Sequence, residues 1–121
     1  MDKRELGSRY EERAAGFLAG QGYRIVERNY QYARGEIDII GWDGCYLVFI
    51  EVKYRRDGAR GGSLEAVGLQ KQRRICRAAL HYRMQRRIAE DTPCRFDVVG
   101  IDGGEITLVK NAFDLCYGKP W

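Results

Sequence analysis

The sequence is poor in the residues that build disulfide frameworks, thiolate metal sites and membrane spans. It contains four cysteines, two prolines and a single histidine in 121 residues. No two cysteines form a CxxC pair, which argues against a zinc site and a thioredoxin-like redox motif. We therefore expect all four to be small buried hydrophobic residues. They are Cys45, Cys76, Cys94 and Cys116.

Long apolar runs are also absent from the sequence. None approaches the ~18 residues that a membrane-spanning helix requires. The N-terminal stretch MDKRELGSRYEE lacks the apolar segment of a secretory signal. We therefore expect a cytoplasmic protein with no membrane association.

Acidic residues are scarce in one part of the chain. The net charge is +4, but residues 53–87 contain eleven Lys/Arg and two acids, a local charge of +9, which leaves −5 for the rest. A basic segment beside an acidic one suggests a phosphate-binding surface next to a cation-binding one. A solvated helix face explains the charge equally well.

The pattern of apolar and turn residues predicts one α/β domain spanning residues 1–121. A helix is expected from Ser8, where Ser8 and Glu11 fit a capping box, and Gly22 is well placed to end it. A second helix is predicted at 64–88, with Val67, Ile75, Ala79 and Tyr82 facing inward, after a mobile loop at 56–63. Strands are predicted at 23–29, 35–41, 45–55, 94–101 and 105–111. The order α-β-β-β-α-β-β favours a mixed sheet of about five strands flanked by helices.

Four charged residues lie in the second and third strands, which are otherwise rich in apolar residues. If Asp43-Gly44 is a two-residue hairpin turn, Trp42 pairs with Cys45 and opposed residue numbers sum to 87. Asp38 then lies opposite Phe49 and diagonal to Glu51 on the third strand. Diagonal neighbours are about 7–8 Å apart, within reach of a common point. The four residues, which share one face of the sheet, are Glu36, Asp38, Glu51 and Lys53.

Two interpretations of these charges remain open on the residues alone. In this register Glu36 lies opposite Glu51, and their carboxylates repel each other unless a cation intervenes. Hard oxygen ligands are those that Mg²⁺ or Mn²⁺ requires. The alternative is a ladder of cross-strand ion pairs on an exposed sheet face. Apolar residues on both faces of these strands favour burial and hence the metal site.

The motifs Gly35-Glu36-Ile37-Asp38 and Val48-Phe49-Ile50-Glu51-Val52-Lys53, followed by Arg55, resemble the PD-(D/E)XK nuclease superfamily. Within it the chain looks like the YraN-like uncharacterised family, which is similar to Holliday-junction resolvases. The likeness covers residues 7–101 and includes Lys71-Gln72 and the stretch RFDVV at 95–99. The literal Pro-Asp is replaced by Glu36-Ile37-Asp38, so the resemblance leaves open whether Glu36 contacts the metal.

The resemblance implies a restriction-endonuclease-like fold and a set of catalytic positions. Asp38, Glu51 and Lys53 occupy those positions, and Glu11 corresponds to the first-helix acid that completes the site in resolvase-like members. The expected metal ligands are Asp38, Glu51 and the carbonyl of Val52, with Lys53 orienting water. Lys71 corresponds to a helix-borne polar residue near the phosphate in related nucleases.

The function expected from this resemblance is a Mg²⁺- or Mn²⁺-dependent endonuclease that acts on branched or duplex DNA. Phosphate contacts position a duplex without reading its sequence, which favours selectivity for DNA structure. The expected phosphate-binding residues are Arg55, Arg56, Lys71, Arg73, Arg74 and Arg77. A homodimer is compatible with the two-fold symmetry of junctions.

Two other classes of function remain as alternatives. One is a nucleic-acid-binding module that keeps the nuclease fold without cutting. The other is an assembly factor that uses aromatic residues of the C-terminal tail, although closing the core is the simpler role for them. These residues are Phe113, Tyr117 and Trp121.

Overall fold

The computed structural model describes residues 2–55 and 67–114 of the chain. The predicted order of helices and strands is confirmed within these residues. The elements are α1 Lys3–Gly20, β1 Arg24–Tyr32, β2 Gly35–Asp43, β3 Tyr46–Arg55, α2 Leu69–Gln85, β4 Cys94–Asp102 and β5 Glu105–Phe113. The predicted loop at 56–63 and the predicted roles of Arg56, Cys116, Tyr117 and Trp121 lie outside the described residues.

The strands form one five-stranded mixed sheet with the spatial order β1-β2-β3-β4-β5. Adjacent strands are antiparallel except for β3 and β4, which are parallel. A parallel pair requires a crossover connection, and α2 lies in that connection. The result is an α/β architecture consistent with the expected restriction-endonuclease-like fold.

The hydrophobic core is divided between the two faces of the sheet. Side chains alternate along a strand, so Phe49 of β3 packs in the cluster that contains α2, whereas Ile50 packs in the cluster that contains α1. The positions predicted to face inward near the second helix are all buried, namely Val67, Ile75, Ala79 and Tyr82. Neither described helix has the length and apolar character that a membrane crossing requires.

The helix starts differ from those predicted. Helix α1 begins at Lys3, because the Asp2 side chain accepts a hydrogen bond from the Glu5 backbone N–H at 2.8 Å and caps the helix. The predicted capping box at Ser8 and Glu11 is therefore wrong, since both residues lie inside the helix. Helix α2 begins at Leu69 instead of residue 64 and ends at Gln85 instead of residue 88.

The β2–β3 hairpin is present, but its predicted register is wrong by two residues. Asp43 pairs with Tyr46 and Ile39 with Ile50, so opposed numbers sum to 89 and the turn consists of Gly44 and Cys45. Gly44 takes a φ of +61°, which glycine adopts at low cost. Cys45 is exposed in this turn, so the expectation that it is buried is also wrong. A shift of two preserves the alternation of faces.

Candidate active site

Asp38 and Glu51 form a buried carboxyl pair where the β2–β3 ladder stops. The last backbone pair of this ladder towards the site is Ile39 with Ile50. Beyond it, the Val52 backbone N–H donates to Asp38 Oδ2 at 2.7 Å. The Asp38 side chain thus accepts the hydrogen bond in place of a backbone carbonyl of the neighbouring strand. Asp38 is 8% exposed and Glu51 5% exposed.

This proximity changes the protonation of the pair. Burial raises the pKa of Asp38 well above its ordinary value, and the negative charge of Glu51 raises it further. The Val52 N–H acts in the opposite direction, because it stabilises the ionised carboxylate. Protonation of Asp38 relieves the repulsion when no cation is bound.

Lys71 brings a positive charge into contact with the pair. Its ammonium forms a salt bridge with Glu51 Oε2, although its side chain is 55% exposed. Burial acts to lower the pKa of Lys71, but the hydrogen bond and charge of Glu51 outweigh it and raise the pKa. Lys71 therefore acts as an internal counter-ion of Glu51, and its expected contact with a phosphate stays a prediction.

The pair lies in an open cleft of about 530 Å³. Residues of α1, of the start of β2, of β3 and of α2 line this cleft. One wall contains Tyr54, whose ring stacks on that of Tyr10 at a centroid distance of 4.2 Å. The acids are therefore buried as side chains, yet they border a space that can admit a ligand.

Two further acids line the cleft without joining the pair. Glu11 lies 3.9 Å from the guanidinium of Arg28. Burial raises the pKa of Glu11, as does the charge of Glu36, whereas Arg28 lowers it. Glu36 is exposed, and its Oε2 accepts a hydrogen bond from Gln31 at 3.3 Å. Both acids add negative charge to the cleft.

Lys53 and Arg55 are placed less directly. Lys53 lies two residues beyond Glu51 on β3, is half-buried and pairs with Gly100 of β4. It does not line the cleft formed by the described residues, so its role beside the metal stays a prediction. The carbonyl of Arg55 accepts a hydrogen bond from the Gly103 N–H at 3.0 Å, at the end of the strand.

The basic residues predicted on the second helix are distributed over two adjacent cavities. Arg74 lines the acidic cleft together with Lys71. Arg73 and Arg77 line a second cavity, which Arg74 also borders. The helix therefore presents its charge beside the carboxyl pair.

The carboxylate oxygens of the cleft suit a hard divalent cation that needs only one or two ligands from the protein. Within residues 2–55 and 67–114, no group of three or more His, Cys, Asp or Glu side chains is close enough to hold a metal ion. Mg²⁺ is commonly held by one or two carboxylates and completes its coordination with water and substrate phosphates. Asp38 and Glu51 fit that requirement.

Comparison with known proteins assigns the chain to a family. The model of the uncharacterised protein family UPF0102 matches residues 10–101. The chain belongs to this family. The UPF0102 protein of Lachnoclostridium phytofermentans is 50% identical over 119 residues, which cover 98% of this chain and 100% of that relative. The predicted YraN-like assignment is thereby confirmed.

Relatives from other organisms extend this match over most of the chain. The Shewanella loihica UPF0102 protein is 47% identical over 107 residues, covering 88% of this chain and 92% of the relative. The Symbiobacterium thermophilum protein is 46% identical over 115 residues, covering 91% and 97%. The UPF0102 description specifies no reaction, so the activity has to rest on the chemistry of the site.

This UPF0102 protein contains a second polar cluster, which the sequence did not predict. Asp97 has no exposed surface, and its carboxylate accepts hydrogen bonds from the Tyr23 hydroxyl at 2.7 Å and from the Arg95 guanidinium at 2.8 and 2.9 Å. The Asn111 backbone N–H donates to it at 2.9 Å. The available signal was an aspartate inside the apolar run FDVV. The cluster packs with the α1 face of the sheet and joins β4 to β5 and to Tyr23, which directly precedes β1.

Proposed function

We propose that this UPF0102 protein is a Mg²⁺- or Mn²⁺-dependent endonuclease that hydrolyses phosphodiester bonds of DNA. The observation that carries the proposal is the buried Asp38–Glu51 pair bordering an open cleft, with Lys71 at its edge. The resemblance of the two strand motifs to the PD-(D/E)XK superfamily supports the same reaction. The residues present fit a divalent ion, because both side chains are hard oxygen donors.

Each residue has a defined part in this proposal. Asp38 and Glu51 would hold the ion, with the Val52 carbonyl as the further oxygen. A divalent ion bound there supplies Lewis-acid polarisation of a phosphoryl oxygen and a lowered pKa for water.

The two lysines have separate parts. Lys71 donates hydrogen bonds to phosphate oxygens when its ammonium leaves Glu51, and it offsets the charge that develops on the phosphate. Lys53 orients the attacking water.

The charge distribution favours selectivity for DNA structure over DNA sequence. Arg73, Arg74 and Arg77 border the cavities beside the acids, where guanidinium groups bind backbone phosphates. Phosphate contacts fix the position of a strand and do not distinguish bases. We therefore propose branched or junction DNA as the preferred substrate.

A second candidate function is a nucleic-acid-binding module that does not cut. The salt bridge between Lys71 and Glu51 favours it, because this contact already neutralises one carboxylate within the protein. In that case the pair would be a structural element, and the arginines of α2 would carry the activity. The two candidates differ in whether the carboxylates are required for turnover.

The deciding experiment compares cleavage of a four-way junction, a flap and a linear duplex of matched sequence, with Mg²⁺ or Mn²⁺. We expect Asp38→Asn and Glu51→Gln to abolish cleavage while binding in EDTA persists. Glu12→Gln is the matched control, since Glu12 is a 75% exposed acid of α1 that does not line the cleft. Binding by the wild-type protein without cleavage of any substrate would instead establish the non-catalytic module.

A further inference from the structure

A second cavity, of about 380 Å³, opens beside the acidic cleft. It is formed where the turn between β1 and β2 meets α2, and the two cavities share Arg34, Gly35 and Arg74. All of its charged lining residues are arginines: Arg34, Arg73, Arg74 and Arg77. This lining contrasts with that of the acidic cleft, which contains four carboxylates.

A close backbone contact explains how Arg34 reaches the helix. A Cβ atom added to Gly35 would lie 2.3 Å from the Arg74 carbonyl oxygen, so only glycine allows the strand to approach α2 this closely. Arg34, the preceding residue, is thereby placed beside arginines that follow it by about forty positions in the sequence. On α2 itself, Arg73 and Arg77 are like charges four residues apart, a spacing that destabilises an isolated helix.

An aromatic ring borders the same cavity. Tyr32 is 40% exposed, and its ring stacks on that of His81 with a centroid distance of 3.9 Å and an interplanar angle of 15°. His81 is in turn held by the Tyr30 hydroxyl at 2.6 Å. A cluster of guanidinium groups beside a positioned aromatic ring is the combination that binds phosphate and base of an unpaired nucleotide.

We propose that this cavity binds the nucleotide next to the phosphate at the carboxyl pair, in an unpaired part of the DNA strand. The phosphate of that nucleotide contacts Arg34 and the α2 arginines, and its base stacks on Tyr32. Arg34 and Tyr32 are then substrate-binding residues that discriminate in favour of branched DNA. This inference rests on the proposed nuclease function in one respect, namely that a DNA strand occupies the acidic cleft.

The test measures binding of a fluorescent oligothymidylate in EDTA over a range of salt concentrations, so that no cleavage occurs. Loss of one phosphate contact lowers the slope of log K against log salt by about 0.7 for a single strand. We expect that change for Arg34→Ala and an unchanged slope for Arg34→Lys. The matched control is Arg24→Ala, which removes another exposed arginine from the other end of the β1–β2 hairpin.

The aromatic contact has its own control pair. We expect Tyr32→Ala to weaken binding by about 5- to 160-fold, since base stacking on an aromatic side chain contributes about 1–3 kcal/mol. Tyr46→Ala should leave binding unchanged, because Tyr46 is similarly exposed at 41% but lies in the β2–β3 hairpin. Thermal denaturation of each variant confirms that it is folded.

The outcomes separate this inference from the proposed function. If Arg34→Ala and Arg24→Ala change the salt slope equally, the effect reflects the net charge of the protein and not a specific contact, which would overturn the inference. Wild-type cleavage of junctions that persists unchanged in Arg34→Ala and Tyr32→Ala would overturn it while the nuclease stands. Arg34-dependent binding in a protein that cuts no substrate would support the cavity and refute the nuclease.

Discussion

The ammonium of Lys71 contacts Glu51 across the gap between α2 and β3. A cation that binds the carboxyl pair must displace this contact and meet the charge of Lys71. We therefore expect Lys71→Gln to bind Mn²⁺ more tightly than the wild-type protein, by several-fold in isothermal titration calorimetry. The variant should nevertheless cleave more slowly, since a positive charge near the phosphate is lost.

Lys53→Gln is the informative counterpart, because Lys53 is a lysine of β3, two residues beyond Glu51, that does not line the acidic cleft. It should leave Mn²⁺ affinity close to the wild-type value and lower the rate of cleavage. Weaker Mn²⁺ binding by Lys71→Gln would show that the ammonium supports the metal site instead of competing with it.

Asp38→Asn should stabilise the protein when divalent cations are absent. Burial and the charge of Glu51 raise the pKa of Asp38 in the folded state above its ordinary value of 3.8. The folded state then binds more protons than the unfolded state, so the free energy of unfolding falls as pH rises from 3.8 through the folded pKa. Asparagine retains an acceptor for the Val52 N–H and removes this dependence.

The measurement is thermal unfolding in EDTA at pH 5, 7 and 9. Each kcal/mol of added stability raises the melting temperature of a 121-residue domain by about 4 °C. The advantage of Asp38→Asn over wild type should grow with pH and should diminish when Mn²⁺ is added, because a bound ion stabilises only the wild-type carboxylate. An advantage that stays constant across pH would refute the proposed cause.

Gly35→Ala should destabilise the protein by displacing α2 from the start of β2. The added methyl group would meet the Arg74 backbone oxygen at 2.3 Å, and overpacking against a backbone costs about 1–3 kcal/mol or more. Gly16→Ala is the control, since Gly16 is exposed on α1 and an added Cβ there would meet no atom of a neighbouring element within 4 Å. It should raise stability by about 0.5–1 kcal/mol, as expected for glycine to alanine inside a helix. Urea denaturation of both variants makes the comparison.

Asp97→Ala should be among the most destabilising substitutions in the chain. It removes the carboxylate partner of the Arg95 guanidinium and leaves a nearly buried charge less compensated, at a cost of about 3–5 kcal/mol. Tyr23→Phe removes one hydrogen bond to the same carboxylate and should cost about 1–3 kcal/mol. The exposed Asp91→Ala should change stability by at most about 0.5 kcal/mol. A small effect of Asp97→Ala in urea denaturation would exclude a structural role for the cluster.

Local patterns predicted the strands but could not fix their register. The Asp43-Gly44 signal identifies the correct hairpin, yet glycine can occupy either central position of a two-residue turn. In the structure Gly44 takes the first position, which moves the pairing by two residues. Because the side-chain period of a strand is two, Asp38 and Glu51 still share a face, and their approach could be predicted despite the error.

Contacts between distant parts of the chain could not be predicted from spacing. The capping pattern at Ser8 recurs at Asp2 and Glu5, and only the latter pair lies at the helix start. Packing of α2 on the sheet brings Lys71 to Glu51 and places Arg34 and Arg74 around the same cavity. Helix packing of this kind depends on side-chain fit over the whole interface, which a sequence pattern does not encode.

The hydrogen bond between the Val52 amide and Asp38 Oδ2 couples the chemistry of the site to the cohesion of the sheet. Any ligand that draws the Asp38 carboxylate away must break this hydrogen bond, at the point where the backbone pairing of β2 with β3 ends. The Val52 amide therefore reports on ligand binding at the carboxyl pair. Its proton should exchange with solvent faster when a ligand holds the Asp38 carboxylate, so hydrogen exchange can measure occupancy of the site without any turnover.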